Sequence, residues 1–222
     1  MFPTIIALHG KPQAGKKTIA NILVKDHNFR KIAFADHMRN DLVDAFQLPG
    51  PQIFTDREKK EQSINCLSLT QCINIDYVNW VTKKYFNNNV NSSLCDFMNE
   101  PRTPRWTMEK WGAYMIIHKG YTNYLIDVVK DFVSESLGAG CPVVIPDLTE
   151  LDEYQFIKEP GGEAWLVESN RGCLLSDPAS LKILDVPFDQ QIINNGTIAE
   201  LRRLIADKLE ESQLSLSRST MS

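Results

Sequence analysis

The sequence predicts an α/β fold of about five parallel strands flanked by helices, with a helical insertion and a short lid. Three observations predict it. Short apolar runs at residues 4–8, 31–35, 142–147, 164–167 and 192–194 alternate with amphipathic stretches, which is how buried parallel strands joined by helices read. A glycine-framed loop stands between the first apolar run and the first amphipathic one. Residues 48–100 carry no strand signal, so a helical excursion is expected between the second and third strands. With 222 residues, 43% of them apolar, the chain can build one substantial core and still carry a small inserted substructure.

Taken in order, the first apolar run leads into Gly10-Lys11-Pro12-Gln13-Ala14-Gly15-Lys16-Lys17-Thr18, two glycines bracketing four residues and followed by a lysine. That spacing lets backbone N–H groups turn inward around a polyphosphate while Lys16 reaches its outer oxygens. The helix that follows points its N-terminus at the same anion. The stretch is therefore read as a phosphate-binding P-loop, with Gly10, Lys11, Ala14, Gly15, Lys16, Lys17 and Thr18 as the nucleotide-binding set. Lys11 is either a second phosphate contact or a solvated loop lysine. The hydroxyl that commonly follows the lysine directly stands one place later, on Thr18, the candidate magnesium ligand.

Residues 31–35 read as the second strand, and Asp36 stands where it gives way to a helix carrying Met38, Leu42, Val43 and Phe46 on one face. Asp36 is either the N-cap of that helix or, at the carboxyl end of a strand, a ligand-binding residue. Arg39, one turn on, is either a phosphate partner or solvated. Within 48–100, a helix is expected over residues 76–86, and the region as a whole is expected to cap a substrate pocket. Arg102 and Arg105 stand among Pro101 and Pro104, just before a helix bearing Trp106 and Trp111. Two readings stay open here: a guanidinium and aromatic grip on a monophosphate and its base, or a surface arginine pair over two core tryptophans. Residues 121–133 continue as a long helix.

Residues 142–147 end in Asp147, where an acid orients magnesium or its waters across from a P-loop; a helix cap near Thr149 is the alternative. Gly161-Gly162 ends the next helix and residues 164–167 supply a fourth strand. Residues 170–187 lack periodicity and carry Arg171, which suits a mobile lid. Residues 192–194 are the last strand, Asn195-Gly196 its turn, and 197–211 the closing helix with Thr197 and Glu200 as a capping box. Residues 212–222 are expected to fray.

A formal charge of −4 argues against a chain built to coat nucleic acid. The five cysteines are odd in number and form no C-x-x-C pair, so they read as reduced thiols rather than a disulfide framework or a zinc site. No basic leader and no membrane-length apolar run is visible, so a soluble cytoplasmic protein is expected.

The chain resembles the deoxynucleoside monophosphate kinases of bacteriophages, among the P-loop nucleotide kinases. The resemblance runs through the G-K-x-T loop at 10–18, Ile32-Ala33-Phe34-Ala35-Asp36, Pro104-Arg105 on to Trp111-Gly112, Val144-Ile145-Pro146-Asp147 with Glu153 downstream, Gly161-Gly162, and Ile193-Asn194-Asn195-Gly196. Residues 48–100 match poorly. The resemblance implies a P-loop kinase fold, Mg2+, a helical monophosphate-binding region, a lid, and transfer of the ATP γ-phosphoryl group to a deoxynucleoside monophosphate in the cytoplasm of an infected cell. The chain departs from the family pattern at Thr149 and near Ile117 and His118, where arginines are frequent, and at Glu109, where a glutamine is. Lys17, Lys119 and Arg171 are the cations available to stand in for them.

The combined reading gives Lys16, Arg105, Asp147 and Arg171 catalytic roles, and Thr18 and Asp147 to magnesium. It gives Asp36, Arg39, Arg102, Arg105, Trp106 and Trp111 to the acceptor. The partners are ATP and a small-molecule nucleoside monophosphate, with no nucleic acid and no membrane; homodimerisation is left open. The rivals are a P-loop kinase of dephospho-coenzyme A or a nucleoside, and a nucleotide-binding regulatory protein without turnover.

Overall fold

Ile5-Ile6-Ala7-Leu8 and Val143-Val144-Ile145 contain no polar side chain, so they are stable only inside a sheet covered on both faces. The computed structural model describes residues 3–56, 58–86, 93–170 and 186–219. In it these runs form β1 (Ile5–His9) and β3 (Val143–Ile145), both wholly buried. With β2 (Arg30–Lys31), β4 (Glu163–Glu168) and β5 (Gln190–Ile193) they make a five-stranded sheet in the order β2-β3-β1-β4-β5, every pairing parallel. The register sets Ile5, Ile6 and Ala7 beside Val143, Val144 and Ile145, and Ala7 and Leu8 beside Ala164 and Trp165. Because all strands run the same way, the loops after β1, β3, β4 and β5 leave from one edge, the carboxyl edge where ligands of open α/β sheets bind.

The helices are α1 (Lys16–His27), α2 (Phe34–Ala45), α3 (Gln52–Thr55), α4 (Ile75–Tyr85), α5 (Leu94–Asn99), α6 (Pro104–Ala113), α7 (Tyr124–Gly138), α8 (Leu151–Lys158) and α9 (Ile198–Ser219). Alternation along the strands sorts the side chains of the sheet. Ile6, Leu8, Val144 and Trp165 join Ile19 and Leu23 of α1 and Leu201, Ile205 and Leu209 of α9 in one cluster. On the other face Gly162 lies so near Ile157 of α8 that a Cβ there would collide with it, and would press tightly on Ile5.

The chain divides into two compact units, Met1–Phe34 with Val128–Ser222, and Ala35–Asp127. The second has its own core, in which Leu42 of α2 and Phe46 just after it meet Phe54, Leu67, Tyr77, Val81, Trp111, Tyr114 and Tyr124. The helical part is thus wider than the expected 48–100, because α2 and α6 contribute to that core. Side chains start its helices: Asn74 accepts from the Tyr77 N–H, Ser93 and Asp96 form a capping box, and Thr103 accepts from the Trp106 N–H with Pro104 in the first turn. After α6 the helix widens into a π turn over Tyr114–His118. Asp76 holds it there, accepting from Tyr114 Oη (2.8 Å) and pairing with Lys119 Nζ (2.6 Å). The Lys119 and Tyr114 hydrogen bonds keep the Asp76 carboxyl well below its usual range.

Three elements differ from the sequence-based expectation. The second strand is two residues long instead of covering 31–35, although the Ile32 N–H still reaches the Val144 carbonyl (3.2 Å). Phe34 then begins α2, so Asp36 lies in the first turn instead of at the N-cap. The cause is tertiary: Asp147, from the end of β3, accepts the Phe34 N–H at 2.9 Å and starts the helix from outside it. At the other end, α9 runs on to Ser219 where fraying was expected from residue 212. Ser212 is buried and its hydroxyl donates to Glu163 at 2.7 Å, which ties the late turns of the helix to β4. The proposed lid falls mostly on residues 171–185, outside the described residues.

Tyr77 sits at the centre of the second core, fully buried, with its ring 4.9 Å from that of Trp111 and 5.4 Å from that of Tyr114. Its hydroxyl has no hydrogen-bond partner among the described residues, and burial pushes its pKa far up. A buried hydroxyl without a partner costs about 1–3 kcal/mol. Tyr77→Phe is therefore expected to leave stability unchanged or raise it by up to about 1 kcal/mol, while Tyr77→Ala costs about 3–5. Urea denaturation of both variants checks this; a loss above about 1 kcal/mol for Tyr77→Phe would show that the hydroxyl is bonded.

Candidate active site

The loop between β1 and α1 is shaped by two glycines that no other residue could replace without moving the chain. Gly10 has φ 130°, and a Cβ there would strike the Val167 carbonyl oxygen of β4. Gly15 has φ 104°, and a Cβ there would strike the side-chain amide of Asn194. Gln13 also takes a left-handed conformation, φ 71°, and the Ala14 N–H closes a turn onto the Lys11 carbonyl (3.3 Å). Lys16 folds back across this ring: its Nζ donates to the Gly10 carbonyl and to the Lys11 carbonyl (3.0 Å). The first turn of α1 contains no acid and two lysines, which is unfavourable for an isolated helix and suited to one whose N-terminus receives an anion. Lys11 and Lys17 are exposed; Thr18 is half-buried.

Two cavities flank the loop. One, of about 410 Å³, is lined by Gly10, Lys11, Leu166, Val167, Glu168, Ser169, Asn170, Ile193 and Asn195. The other, of about 650 Å³, is bounded by Gln13, Gly15, Thr18, Asn194, Asn195 and the first residues of α9. Their walls come from the ends of β1, β4 and β5, as the carboxyl-edge rule requires.

Asp147 lies two residues beyond β3, at the same edge. Its Oδ1 accepts from the Phe34 N–H, so a helix-capping role exists, but for α2 instead of the helix near Thr149. That next helix is started by Glu150 and Glu153 in a capping box. Glu153 is buried, and its Oε2 accepts from the Thr149 N–H (2.8 Å), the Thr149 hydroxyl (3.3 Å) and the Glu150 N–H (3.1 Å). Thr149 is thereby occupied in shaping the turn that carries Asp147.

The arginines assigned to the acceptor have three different surroundings in the helical unit. Arg102 is used internally: it pairs with Glu100, donates to the Phe97 carbonyl (2.8 Å), and stacks at 4.6 Å over Phe97 and 4.5 Å over Trp106. Arg105 has a side chain 49% exposed and pairs with Glu61. Arg39 is only 14% exposed; Nη1 meets Asp36 Oδ1 at 2.6 Å, and its buried Nε has no acceptor among the described residues. Trp111 is in the core with Nε1 on the Tyr124 hydroxyl (3.2 Å), so it builds the unit instead of an open aromatic wall. Of the stand-in cations, Lys119 is paired with Asp76. Arg171 lies outside the described residues.

Residues that sequence reasoning read as strand end and turn and did not assign to the site are Asn194 and Asn195. Asn194 Nδ2 donates to the Ala14 carbonyl (2.8 Å), and Asn195 Oδ1 accepts from the Asn170 N–H (2.7 Å). The available signal was two asparagines directly after an apolar strand, where the carboxyl edge had to be.

No family model and no curated protein matches the sequence. Among solved structures, TT1252 from Thermus thermophilus is similar at 14% identity and a TM-score of 0.44, covering 95% of this chain and 98% of that one. A dephospho-CoA kinase from Campylobacter jejuni is similar at 14% identity and 0.45, covering 94% and 97%.

For magnesium, the available donors are the Thr18 hydroxyl and the Asp147 carboxylate. Such a set suits an ion that keeps most of its waters and takes the rest of its oxygens from a nucleotide. No group of three or more His, Cys, Asp or Glu side chains placed to hold a metal occurs among the described residues.

Burial pushes the Glu153 carboxyl up to about 7, opposed by its two backbone N–H donors and reinforced by Asp147 and Glu150. The ordinary value is 4.5. Between these two pH values the folded chain keeps a proton that the unfolded chain has lost, so stability falls as pH rises from 4.5 towards 7. Glu153→Gln cannot ionise; it should flatten that slope and raise stability at pH 8 by about 1–3 kcal/mol. Denaturation curves at pH 5, 6.5 and 8 measure it, and parallel profiles for parent and variant would show that Glu153 titrates at its ordinary value.

Proposed function

We propose that the chain is an ATP-dependent kinase that transfers the γ-phosphoryl group to a (deoxy)nucleoside monophosphate. One observation carries the reading: a loop whose two glycines hold positive φ, the first of them against the Val167 carbonyl, leads into a helix start that holds Lys16 and Lys17 and no acid, at the carboxyl edge of a parallel sheet. The ATP phosphates would lie against the backbone N–H groups of residues 10–18, with Lys16 exchanging its two carbonyl acceptors for phosphate oxygens. Thr18 and Asp147 would hold magnesium, which when bound offsets the negative charge of the phosphates. The acceptor needs no strong general base, since a monophosphate oxygen is already an anionic nucleophile. That oxygen bonds to the γ-phosphorus as the bond to the β-γ bridging oxygen breaks, giving ADP and a nucleoside diphosphate.

On the acceptor side Arg39 suits the role better than Arg105. Its guanidinium is mostly buried and aligned by Asp36, whereas Arg105 is half exposed, and Arg102, which is as buried and also has an Nε without an acceptor among the described residues, has its two terminal nitrogens on Glu100 and the Phe97 carbonyl and its faces on Phe97 and Trp106. A planar fork held in low dielectric is what grips phosphate oxygens in pairs. Arg171 remains a proposed participant from the 170–187 segment. Among the described residues no helix is long and apolar enough to cross a membrane.

Release of ADP, measured over a panel of nucleoside and deoxynucleoside monophosphates, nucleosides and dephospho-coenzyme A, tests the assignment. Turnover with at least one monophosphate is expected. Turnover confined to dephospho-coenzyme A or a nucleoside moves the chain to another kinase class, and tight ATP binding without turnover on any acceptor makes it a nucleotide-binding regulator. Lys16→Ala should lower kcat by about 10²-fold or more in a folded protein, because the ammonium stabilises charge that develops in the transition state. Arg39→Lys should raise the acceptor KM and lower kcat/KM by about 10- to 100-fold while the ATP KM holds. Arg102→Lys should instead lower Tm with little change in either KM, and the reverse pattern for these two arginines would exchange their roles.

A further inference from the structure

We propose that Asn194 is a positioning residue of the phosphate cradle: by holding the Ala14 carbonyl from outside the loop, its amide aims the Gly15 N–H at the anion. The proposal rests on the phosphate-binding reading of the loop. Asn194 directly follows β5, and its own N–H donates to the Glu168 carbonyl at 2.7 Å, so the strand ladder fixes where its side chain begins. From there Nδ2 donates to the Ala14 carbonyl at 2.8 Å, across 180 residues of sequence. A trans peptide unit points its C=O and its N–H in opposite directions. Holding the Ala14 oxygen on one side therefore sends the Gly15 hydrogen to the other.

The alternative peptide orientation would present the Ala14 oxygen to the phosphates, an acceptor facing acceptors. The Asn194 hydrogen bond opposes that flip, which an unheld glycine-rich loop makes easily. Gly15 bears the mark of the same contact: a Cβ added there would overlap the Asn194 amide. Any side chain at position 15 would displace that amide, and the φ of 104° there favours glycine by itself. Asn195 steadies the support, its Oδ1 accepting the Asn170 N–H at 2.7 Å just past β4.

The test is calorimetric titration of the full chain and its variants with MgATP and with inorganic tripolyphosphate, at a temperature where each is folded by circular dichroism. Asn194→Ala should weaken both ligands by about tenfold or more, the scale of one lost hydrogen bond that orients a donor. Asn194→Asp should weaken them further, since a carboxylate cannot donate to the Ala14 carbonyl and repels the anion. A folded Asn194→Ala protein with parental affinity overturns the proposal and leaves the phosphate-binding reading standing; a parent that binds neither ligand overturns both. In the unsubstituted protein, the Gly15 amide proton should move downfield on addition of tripolyphosphate. A Gly15 resonance that stays in place overturns the proposal even if neither variant folds.

Discussion

The carboxyl edge of the sheet depends on how closely the chain leaving β1 passes the backbone of β4. A Cβ at Gly10 would collide with the Val167 carbonyl, so only glycine lets the loop turn at that point. The closeness follows from the strand order, which sets β1 between β3 and β4 with parallel ladders on both sides. A central strand with wholly apolar Ile5-Ile6-Ala7-Leu8 cannot move outward without exposing that surface, so the loop that follows it starts from a rigid base. The ends of β3, β4 and β5 then arrive around it with Asp147, Ser169 and Asn194.

Charge at this edge is arranged against local preference. The start of α1 holds two lysines where an acid would favour the helix, and Lys16 rests on backbone carbonyls of the loop it closes. Nearby, Glu153 is buried and spends one oxygen on three donors of the turn that carries Asp147. Both features cost stability in an isolated fold, and they fall together where a polyanion would be received. This coincidence is the physical ground for proposing that the edge receives phosphate.

Three arginines have separate physical fates in the helical unit. Arg102, stacked between Phe97 and Trp106 and paired with Glu100, does the work of a core residue. Arg105 lies half in solvent beside Glu61, where screening leaves an ion pair little energy. Arg39 combines burial, an aligning carboxylate and an unused donor, the properties that make a guanidinium selective for an oxyanion. Proximity to proline and tryptophan pointed to the first two; Arg102 has its two terminal nitrogens on Glu100 and the Phe97 carbonyl, which leaves Arg39 as the buried guanidinium suited to the role.

The sequence by itself determined the alternation of strands and helices, the glycine-framed loop, the acid after the third apolar run and the helical nature of the middle region. Each is encoded within a short window: apolar runs have a period, and a loop that needs positive φ needs glycine. Tertiary structure alone decided the rest. The second strand stops at Lys31 because Asp147, more than a hundred residues on, caps α2 at Phe34. The closing helix persists beyond residue 211 because Ser212 finds Glu163 on β4. Trp111 and Arg102 turn inward because the helical unit has a core of its own to fill. Asn194 reaches the loop because parallel strands bring their ends to one edge, a meeting across 180 residues that no local pattern of residues records.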